Sequence, residues 1–338
     1  MSSGKGKRKM EEEGVPLQGD LDPDNDPMKY ALSAPRVQII PGLWRRIVRR
    51  RRSKNDAKPW ACPCGYVNKP IQHLFFDLPR FKCGSRECKE MIPDDYEFKF
   101  SLVDIEANGV CLLNKVKDQD SRPHCMAYAS AVNADITSKV TSVLLGEAIR
   151  DAKSEICMRT FLQKLKLKKQ LPRSLDMNTY DDLGIKDLWK IISILEKDGV
   201  ETVDGSHKAR ISGITHVPLD FPVICKEIAE GHPLLAIIRT GKGFDDLQYN
   251  QIYKPPKVSR IVDGKSAGLH CISLVGGAMR KGRKMHFKFV NTHGEEFCKL
   301  RSLNRDDGIK GGLGNVIAEG ILRRPVKFLR EGREVLKQ

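Results

Sequence analysis

The sequence predicts an α+β fold, in which helices dominate the first half and short strands the second. Residues 126–136 are apolar on most sides, which is typical of a buried helix, and residues 185–198 carry apolar side chains at helical spacing before Gly199. The apolar segments of the second half are predicted strands: 211–219, 234–239, 269–275, 285–291 and 297–303. Helices followed by antiparallel strands characterise the α+β class.

Shorter signals predict the connections between these elements. Asp220 is a predicted N-cap for a short helix that ends before Gly231. Residues 276–284, GGAMRKGRK, are a predicted turn between two strands. Residues 151–178 are basic, and for the segment 164–170 within them a helix and an exposed insertion both stay open.

Composition indicates a globular chain with a strong positive charge. The 338 residues leave room for one domain of about 200 residues plus an extension, and 40% of them are hydrophobic. The net charge of +16 predicts attraction to polyanions without establishing a nucleic-acid function. The first 30 residues hold no apolar signal-peptide core, and no apolar run approaches the ~18 residues of a membrane span. We therefore expect a nuclear or cytoplasmic protein, not secreted and without a membrane partner, whose ten cysteines are mostly reduced or metal-bound.

The two ends of the chain are expected to flank the main domain. Residues 1–55 are charged and rich in Asp, Pro, Gly and Lys, so we expect a disordered basic tail there. Its basic run from Arg45 to Lys54 fits a nuclear-localisation or nucleic-acid patch and a solvated tail equally well. The predicted division of the chain is a tail at 1–55, a cysteine-rich segment at 56–100, a main domain at 101–310 and a basic C-terminal tail at 311–338.

Two close cysteine pairs mark the cysteine-rich segment. The pairs are Cys62 with Cys64 and, after 18 intervening residues, Cys83 with Cys88. Two such pairs suit tetrahedral zinc, because each tight turn supplies two thiolates, and a glycine follows each inner cysteine as knuckle turns often require. The spacings are less diagnostic than paired C-x2-C, so one structural zinc and four ordinary thiols stay equally open. Apart from Trp60, Phe75, Phe76 and Phe81, we expect little apolar mass in this segment, so that a metal would help it fold.

Cys125 is the candidate nucleophile. It lies where the polar loop 118–123 becomes the apolar helix, so its thiol belongs to the first helical turn. The helix dipole and the unpaired N–H groups there favour the thiolate, which is the reactive form. The alternative is a buried structural cysteine, which is the commoner fate of a lone cysteine, but the polar loop argues against it.

A cysteine nucleophile needs a base, and the base needs an orienting group. Among the eight histidines, His270 opens an alternating strand 145 residues after Cys125, within the ~130–150 residues typical of such a site. Asn291 ends the next strand, 21 residues further on, and its amide is suited to orient the imidazole. Neighbouring antiparallel strands bring the two side chains together.

These segments resemble the catalytic segments of papain-like cysteine proteases. The family reads V-K-x-Q-G-x-C-G-S-C-W-A-F around its nucleophile, and the matching residues here are Val116, Lys117, Gln119, Cys125 and Ala127. The family reads H-A-V-x-x-V-G-Y-G around the base and K-N-S-W-G around the asparagine, where this chain has HCISLVGG at 270–277 and VNTHG at 290–294. The resemblance covers roughly residues 104–305.

The resemblance implies a two-lobed fold, with Cys125 on a helical lobe and His270 and Asn291 on an antiparallel, β-barrel-like lobe. It implies peptide-bond hydrolysis through a thioacyl-enzyme on Cys125, with His270 as base and then acid. Asn291 would orient the imidazole, and Gln119 would hold the oxyanion together with the Cys125 N–H. Catalysis of this kind needs no cofactor, and the implied partner is a protein or peptide substrate.

Several departures from the family pattern leave other functions open. Arg122 and Pro123 are expected to narrow or charge the cleft, and His293 replaces a tryptophan, which predicts a wetter contact between His270 and Asn291. The glycine pair of the family's cleft has no evident counterpart between residues 165 and 190. An active intracellular peptidase, a catalytically degraded binding protein, and a nucleic-acid-associated protein acting through the basic run all remain candidates.

Overall fold

The structure is a computed structural model, and it describes residues 57–107, 110–113, 115–120, 124–145, 155–167, 185–205, 208–241, 243–257, 268–299 and 311–330, with three further short strands. The helices are α1 (Cys125–Leu145), α2 (Met158–Leu167), α3 (Ile185–Ser193) and α4 (Phe221–Ala229). Single turns of other helix types follow α3 at Ile194–Asp198 and lie at Leu102–Asp104 and Ala318–Gly320.

Most strands belong to the half of the chain after α3. The strands in chain order are β1 (Arg36–Gln38), β2 (Val48–Arg50), β3 (Trp60–Ala61), β4 (Val67–Asn68), β5 (Ile71–Gln72), β6 (Asp77–Leu78), β7 (Phe98–Ser101), β8 (Ile105–Ala107), β9 (Val110–Cys111), β10 (Val200–Glu201), β11 (Lys208–Ala209), β12 (Gly213–His216), β13 (Leu234–Thr240), β14 (Ile252–Tyr253), β15 (Gly268–Arg280), β16 (Lys284–Val290), β17 (Leu313–Ile317), β18 (Val326–Leu329) and β19 (Glu334–Leu336).

One eight-stranded sheet organises the molecule. Its order is β12-β18-β13-β15-β16-β17-β14, and β7 also pairs with β15. Every pairing in it is antiparallel except β14 with β17. Helices before an antiparallel sheet form the two-lobed α+β architecture that the sequence predicts.

The central strand β15 changes partners along its length. Its first half pairs with β13, whereas its second half lies between β16 and β7, with an irregularity between Leu274 and Gly276. A Cβ on Gly276 would collide with the backbone oxygen of Phe100, so the close approach of β7 requires glycine there. β16 pairs with β15 only from Ser273 onward. The Ser273 hydroxyl donates a hydrogen bond to the backbone oxygen of Ala129, so α1 lies against β15 at this point.

Helix α1 packs between two apolar clusters. Val132, Ile136 and Val140 join the core of the sheet. The alanines on another side of the helix join a second cluster together with α2 and α3, and their small side chains allow close packing: Ala127, Ala129, Ala131 and Ala134. The prediction of a buried helix from Cys125 onward is confirmed.

The cysteine-rich segment belongs to the core of the sheet. Its apolar side chains, which include Trp60, Phe75 and Phe76, are buried in the same cluster as the sheet residues. The Phe81 ring contacts the rings of Phe98 on β7 and Phe221 on α4, each at a centroid distance of 5.7 Å. Beyond the aromatic residues that the sequence analysis sets apart, Leu74, Leu78 and Ile92 are buried in the same cluster, so the segment holds more apolar mass than expected.

Other predicted elements need correction. Residues 311–330 supply β17 and β18 to the main sheet, so they are not a C-terminal tail, and the main domain extends beyond 310. Phe297 and Cys298 lie in a turn instead of a strand, and residues 300–303 lie outside the described residues. The predicted turn at 276–284 shortens to Lys281–Arg283, because β15 continues to Arg280.

The predicted terminal tails contain strands as well. In the segment expected to be disordered, β1 pairs with β19 and β2 pairs with β8. Part of the basic segment 151–178 is the helix α2, whereas 168–178 lies outside the described residues. In the described parts of the chain, no helix combines the length and apolarity needed to cross a membrane.

Candidate active site and cysteine cluster

The loop before α1 is held by hydrogen bonds to the residues after β16. Gln119 N–H donates to the backbone oxygen of Thr292 at 2.8 Å, and the Thr292 hydroxyl donates to Gln119 Oε1. Asp120 has a φ of +53°, in the left-handed region, and its N–H donates to Asp118 Oδ1 at 2.8 Å. This conformation gives a physical reason for the glycine that the family pattern has at this point.

Buried ion pairs fix the same loop to α1. Lys117 Nζ lies 2.9 Å from Asp135 Oδ2 and 3.4 Å from Glu155 Oε2. Burial alone would lower the pKa of Lys117, but the two carboxylates raise it above its usual value. Lys117 is therefore a charged anchor two residues before Gln119.

Cys125 opens α1 and is 4% exposed. Burial raises the pKa of its thiol, and hydrogen bonds from the backbone N–H groups of Cys271 and Met126 oppose that rise. The expectation that the helix terminus favours a resting thiolate is therefore outweighed by desolvation. This hydrogen bond joins the thiol to Cys271, the residue that directly follows His270.

His270 and Asn291 are joined as the sequence predicts. His270 Nε2 lies 2.7 Å from Asn291 Oδ1, and Thr292 N–H donates to the same oxygen at 2.8 Å. A backbone N–H can only donate, so this atom is the amide oxygen, and Nε2 must carry a proton. The neutral ring therefore keeps its lone pair on Nδ1. Burial lowers the pKa of His270 to about 4, with a smaller lowering from the charge of His293.

Aromatic rings cover the contact between His270 and Asn291. The ring of Phe244 lies 5.4 Å from that of His270, and the ring of His293 lies 4.9 Å from it. Asn291 is fully buried, so the expected wetter contact is wrong. Sequence reasoning missed Phe244, because nothing in the polar loop around it indicates that it reaches the site. Arg122 and Pro123 lie outside the described residues, as does most of the range 165–190.

The four cysteines of the N-terminal segment converge. Cys62 Sγ lies 3.5 Å from Cys88 Sγ, and Cys64 Sγ lies 3.7 Å from Cys83 Sγ. All four sulfurs lie within 4.8 Å of one another, so they could bind a metal ion. We call this set the cysteine cluster.

Local backbone geometry brings these cysteines together. Gly65, with a φ of +86°, makes the turn after Cys64, and its N–H donates to the backbone oxygen of Cys62. Gly84 has no such φ; a Cβ there would lie 3.0 Å from the ring of Tyr66, so tight packing is the reason for that glycine. Buried Asn68 accepts a hydrogen bond from Gly84 N–H and directs its amide nitrogen at Cys83 Sγ.

No protein-family model matches the sequence, and no curated protein matches it. Among solved structures, the chain is similar to the cysteine protease CMS1MS2 of Carica candamarcensis, with 13% identity over 71% of this chain and 99% of that chain and a TM-score of 0.44. It is similar to bromelain from Ananas comosus (14% identity, 71% and 100% covered, TM-score 0.40). It is also similar to xylellain from Xylella fastidiosa (12% identity, 71% and 86% covered, TM-score 0.41).

Proposed function

We propose that the protein is a cysteine-type peptidase that hydrolyses peptide bonds of a protein or peptide substrate. The observation that supports the proposal is the hydrogen bond between His270 and Asn291, which leaves the lone pair of the neutral imidazole on Nδ1. We infer that this nitrogen serves Cys125 as its base. Cys125, His270 and Asn291 are thus the proposed nucleophile, base and orienting group.

The two shifted pKa values define the protonation states from which the reaction starts. Burial raises the pKa of Cys125 and lowers that of His270, so near neutral pH the pair rests as thiol and neutral imidazole. We infer that the proton moves from Sγ to His270 Nδ1 as the sulfur attacks the substrate carbonyl.

The rest of the cycle follows from that transfer. A bond forms between Cys125 Sγ and the carbonyl carbon, and the oxygen takes the negative charge. Gln119 is the proposed side-chain donor to that oxygen, and its amide is oriented by Thr292. His270 then gives its proton to the leaving amine as the C–N bond breaks. Water, deprotonated by His270, hydrolyses the thioester and restores the thiol.

Peptide cleavage by the full chain tests this proposal. We expect the wild type to cleave members of a mixed peptide library and Cys125→Ala to lose at least about 10³-fold in rate. The matched control is Cys157→Ala, which removes a partly exposed thiol at the start of α2 and should keep the activity. No cleavage by the wild type, combined with labelling of Cys125 by a peptide electrophile, would instead indicate the catalytically degraded binding protein.

We propose further that the cysteine cluster holds one structural zinc. A tetrahedron with Zn–S bonds of about 2.3 Å has S–S edges of about 3.8 Å, which fits the pair distances of 3.5 and 3.7 Å. A disulfide would need about 2.05 Å. The amide of Asn68 adds a donor to the sulfur of Cys83, as outer-shell groups of metal sites do.

Metal analysis tests the zinc site. The reduced full chain should carry about one zinc, and Cys83→Ser should lose most of it. Cys298→Ser, which changes a buried thiol outside the cluster, should retain the metal. Reduced wild-type protein without zinc would contradict the assignment.

The basic run supports a proposal about location and partners. We infer a nuclear or cytoplasmic protein from the run Arg45–Lys54, of which the structure describes only Val48–Arg50. Alanine at Arg49 to Arg52 should reduce nuclear enrichment of a fluorescent fusion. Salt-dependent binding of a polynucleotide by the full chain that disappears in the same variant would support the nucleic-acid-associated function as well.

A further inference from the structure

We propose that His293 is a positioning residue that lowers the catalytic rate when it becomes protonated. It would act electrostatically on His270, so that mild acid slows the reaction before His270 itself takes up a proton. The inference rests on the proposed peptidase function, and it assigns regulation to the same site.

The geometry places a second imidazole directly against the candidate base. The ring centroids of His270 and His293 are 4.9 Å apart, with the planes tilted by 52°. His270 is 6% exposed, whereas the side chain of His293 is 32% exposed. The outer ring can therefore exchange protons with solvent, while the inner ring depends on its protein neighbours.

Acidic groups face the outer ring. Asp245 Oδ1 lies 3.8 Å from His293 Nδ1, and the backbone of Asp118 forms a bridge with that of His293. The other rings against it are the apolar ones of Phe244 and Phe297. Burial lowers the pKa of His293, whereas Asp245 and Asp118 raise it, and the net direction is downward. Protonation is therefore expected in mildly acidic solution.

The sign of the effect follows from the reaction. His270 must become an imidazolium when it takes the thiol proton, and a positive charge on His293 opposes that form. A base with a lowered pKa accepts the proton less readily in the transition state. The carboxylate of Asp245 lies next to the ring of His293, so it favours the protonated form of His293, which is the form that slows the reaction.

Two measurements on the full chain test the proposal. The first is an NMR titration of the histidines in Cys125→Ala, which needs no turnover. In Cys125→Ala/His293→Asn, the midpoint of His270 should rise by about one unit. The second is the pH dependence of kcat/KM for a substrate without titrating groups. The wild type should lose about threefold as the pH falls below about 6.5, the ordinary histidine value, and His293→Asn should lose nothing in that step.

Asp245→Asn provides an independent variant, since it leaves both rings in place. It should move the titration of His293, and with it the threefold step, to lower pH. The matched control is His216→Asn, which changes an exposed histidine on β12 and should keep the wild-type profile. An unchanged His270 midpoint in the His293→Asn background would overturn the proposal. So would a threefold step that stays at the wild-type pH in both His293→Asn and Asp245→Asn. A shifted midpoint in a chain that cleaves no peptide would support the coupling and contradict the peptidase function alone.

Discussion

Two regions of this molecule use cysteine, and they differ in how far apart in the sequence their residues lie. In the cysteine cluster, four sulfurs from residues 62–88 converge within 4.8 Å. At the candidate active site, the proposed pair comes from distant segments, since Cys125 begins α1 and His270 lies on β15, 145 residues further along the chain. The first arrangement depends on tight local turns, whereas the second depends on the register of a sheet and on the packing of α1 against it.

This difference predicts which substitutions should disrupt each region. A local cluster is lost when one of its own cysteines changes, and the remainder of the fold is expected to tolerate that loss. A site assembled over long range is sensitive to residues that never touch the substrate, because they hold its parts in register. Changes to each region should therefore leave the chemistry of the other intact.

The largest effect is expected from replacing Lys117, whose buried ion pairs hold the loop before α1. Lys117→Met removes the cation nearest to buried Asp135 and leaves Glu155 with Lys139 at 3.8 Å, so the free energy of unfolding should fall by about 3–5 kcal/mol. Burial raises the pKa of Glu155, so it gains a proton as pH falls, and the loss should be smaller at pH 5 than at pH 8. Denaturant unfolding at both pH values measures this. The exposed Lys166→Met is the control, and equal stability of the two variants would contradict the anchoring role.

A smaller effect, confined to catalysis, is expected for Gln119→Ala. Loss of one oxyanion donor should lower kcat by about 10²–10³-fold. Alkylation of Cys125 by a small reagent should stay nearly unchanged, because no oxyanion forms in that reaction. Steady-state kinetics and alkylation rates measure the two effects. Gln163→Ala, at an exposed position of α2, should change neither, and a parallel fall of both rates in Gln119→Ala would indicate that the residue is structural.

Removal of the Asn291 amide should lower kcat less than removal of the Gln119 amide does. Asn291→Ala leaves His270 in place but frees its ring, so kcat is expected to fall by up to about 10²-fold. The NMR signals of the His270 ring should broaden or shift at the same time. Asn315→Ala on β17 is the matched control. An activity equal to wild type in Asn291→Ala would show that the hydrogen bond does not position the base.

The smallest effect on the site is expected from loss of the metal. Cys83→Ser should lose the zinc and lower the thermal midpoint by several degrees, roughly 5 °C. Peptide turnover at 25 °C should change by less than about twofold, since none of the cluster's cysteines lies at the Cys125 site. Metal content, thermal unfolding and turnover of one preparation measure this. Complete loss of turnover would show that the two regions are coupled.

The two regions also differ in how well the sequence predicts them. Spacing alone indicated that Cys62, Cys64, Cys83 and Cys88 could converge, because each pair is a few residues apart. For the catalytic set, residue types and spacing indicated Cys125, His270 and Asn291, and the hydrogen bond between the last two is present.

The remaining parts depend on contacts between distant segments. Phe244 covers His270 from a polar loop that carries no signal for it. The strands β17 and β18 are interrupted by charged residues and glycine, and a Cβ on Gly314 would collide with the ring of Phe289. That glycine is required by packing, yet it weakens the strand pattern, so the sequence predicts a tail at 311–338.

The balance of desolvation against the helix dipole could not be predicted from the sequence either. The dipole follows from the position of Cys125 at a helix start, which the sequence indicates. The sequence predicts a buried helix, but only the structure reveals that Cys125 at its first turn is buried as well, and this burial raises the pKa of the thiol. The proposed mechanism accordingly starts from a thiol and transfers its proton during attack, instead of starting from a resting thiolate.

The most direct test of the central claim compares Cys125 with Cys157 in one experiment. Cys157 is more exposed, and a hydrogen bond from the Thr160 hydroxyl lowers its pKa, so simple thiol chemistry favours Cys157. Site-resolved mass spectrometry after a short exposure to a peptide electrophile gives both rates. We predict that Cys125 is labelled at least about tenfold faster in the wild type, and that this advantage disappears in His270→Ala. Faster labelling of Cys157 in the wild type, with no change in His270→Ala, would contradict the pairing of Cys125 with His270.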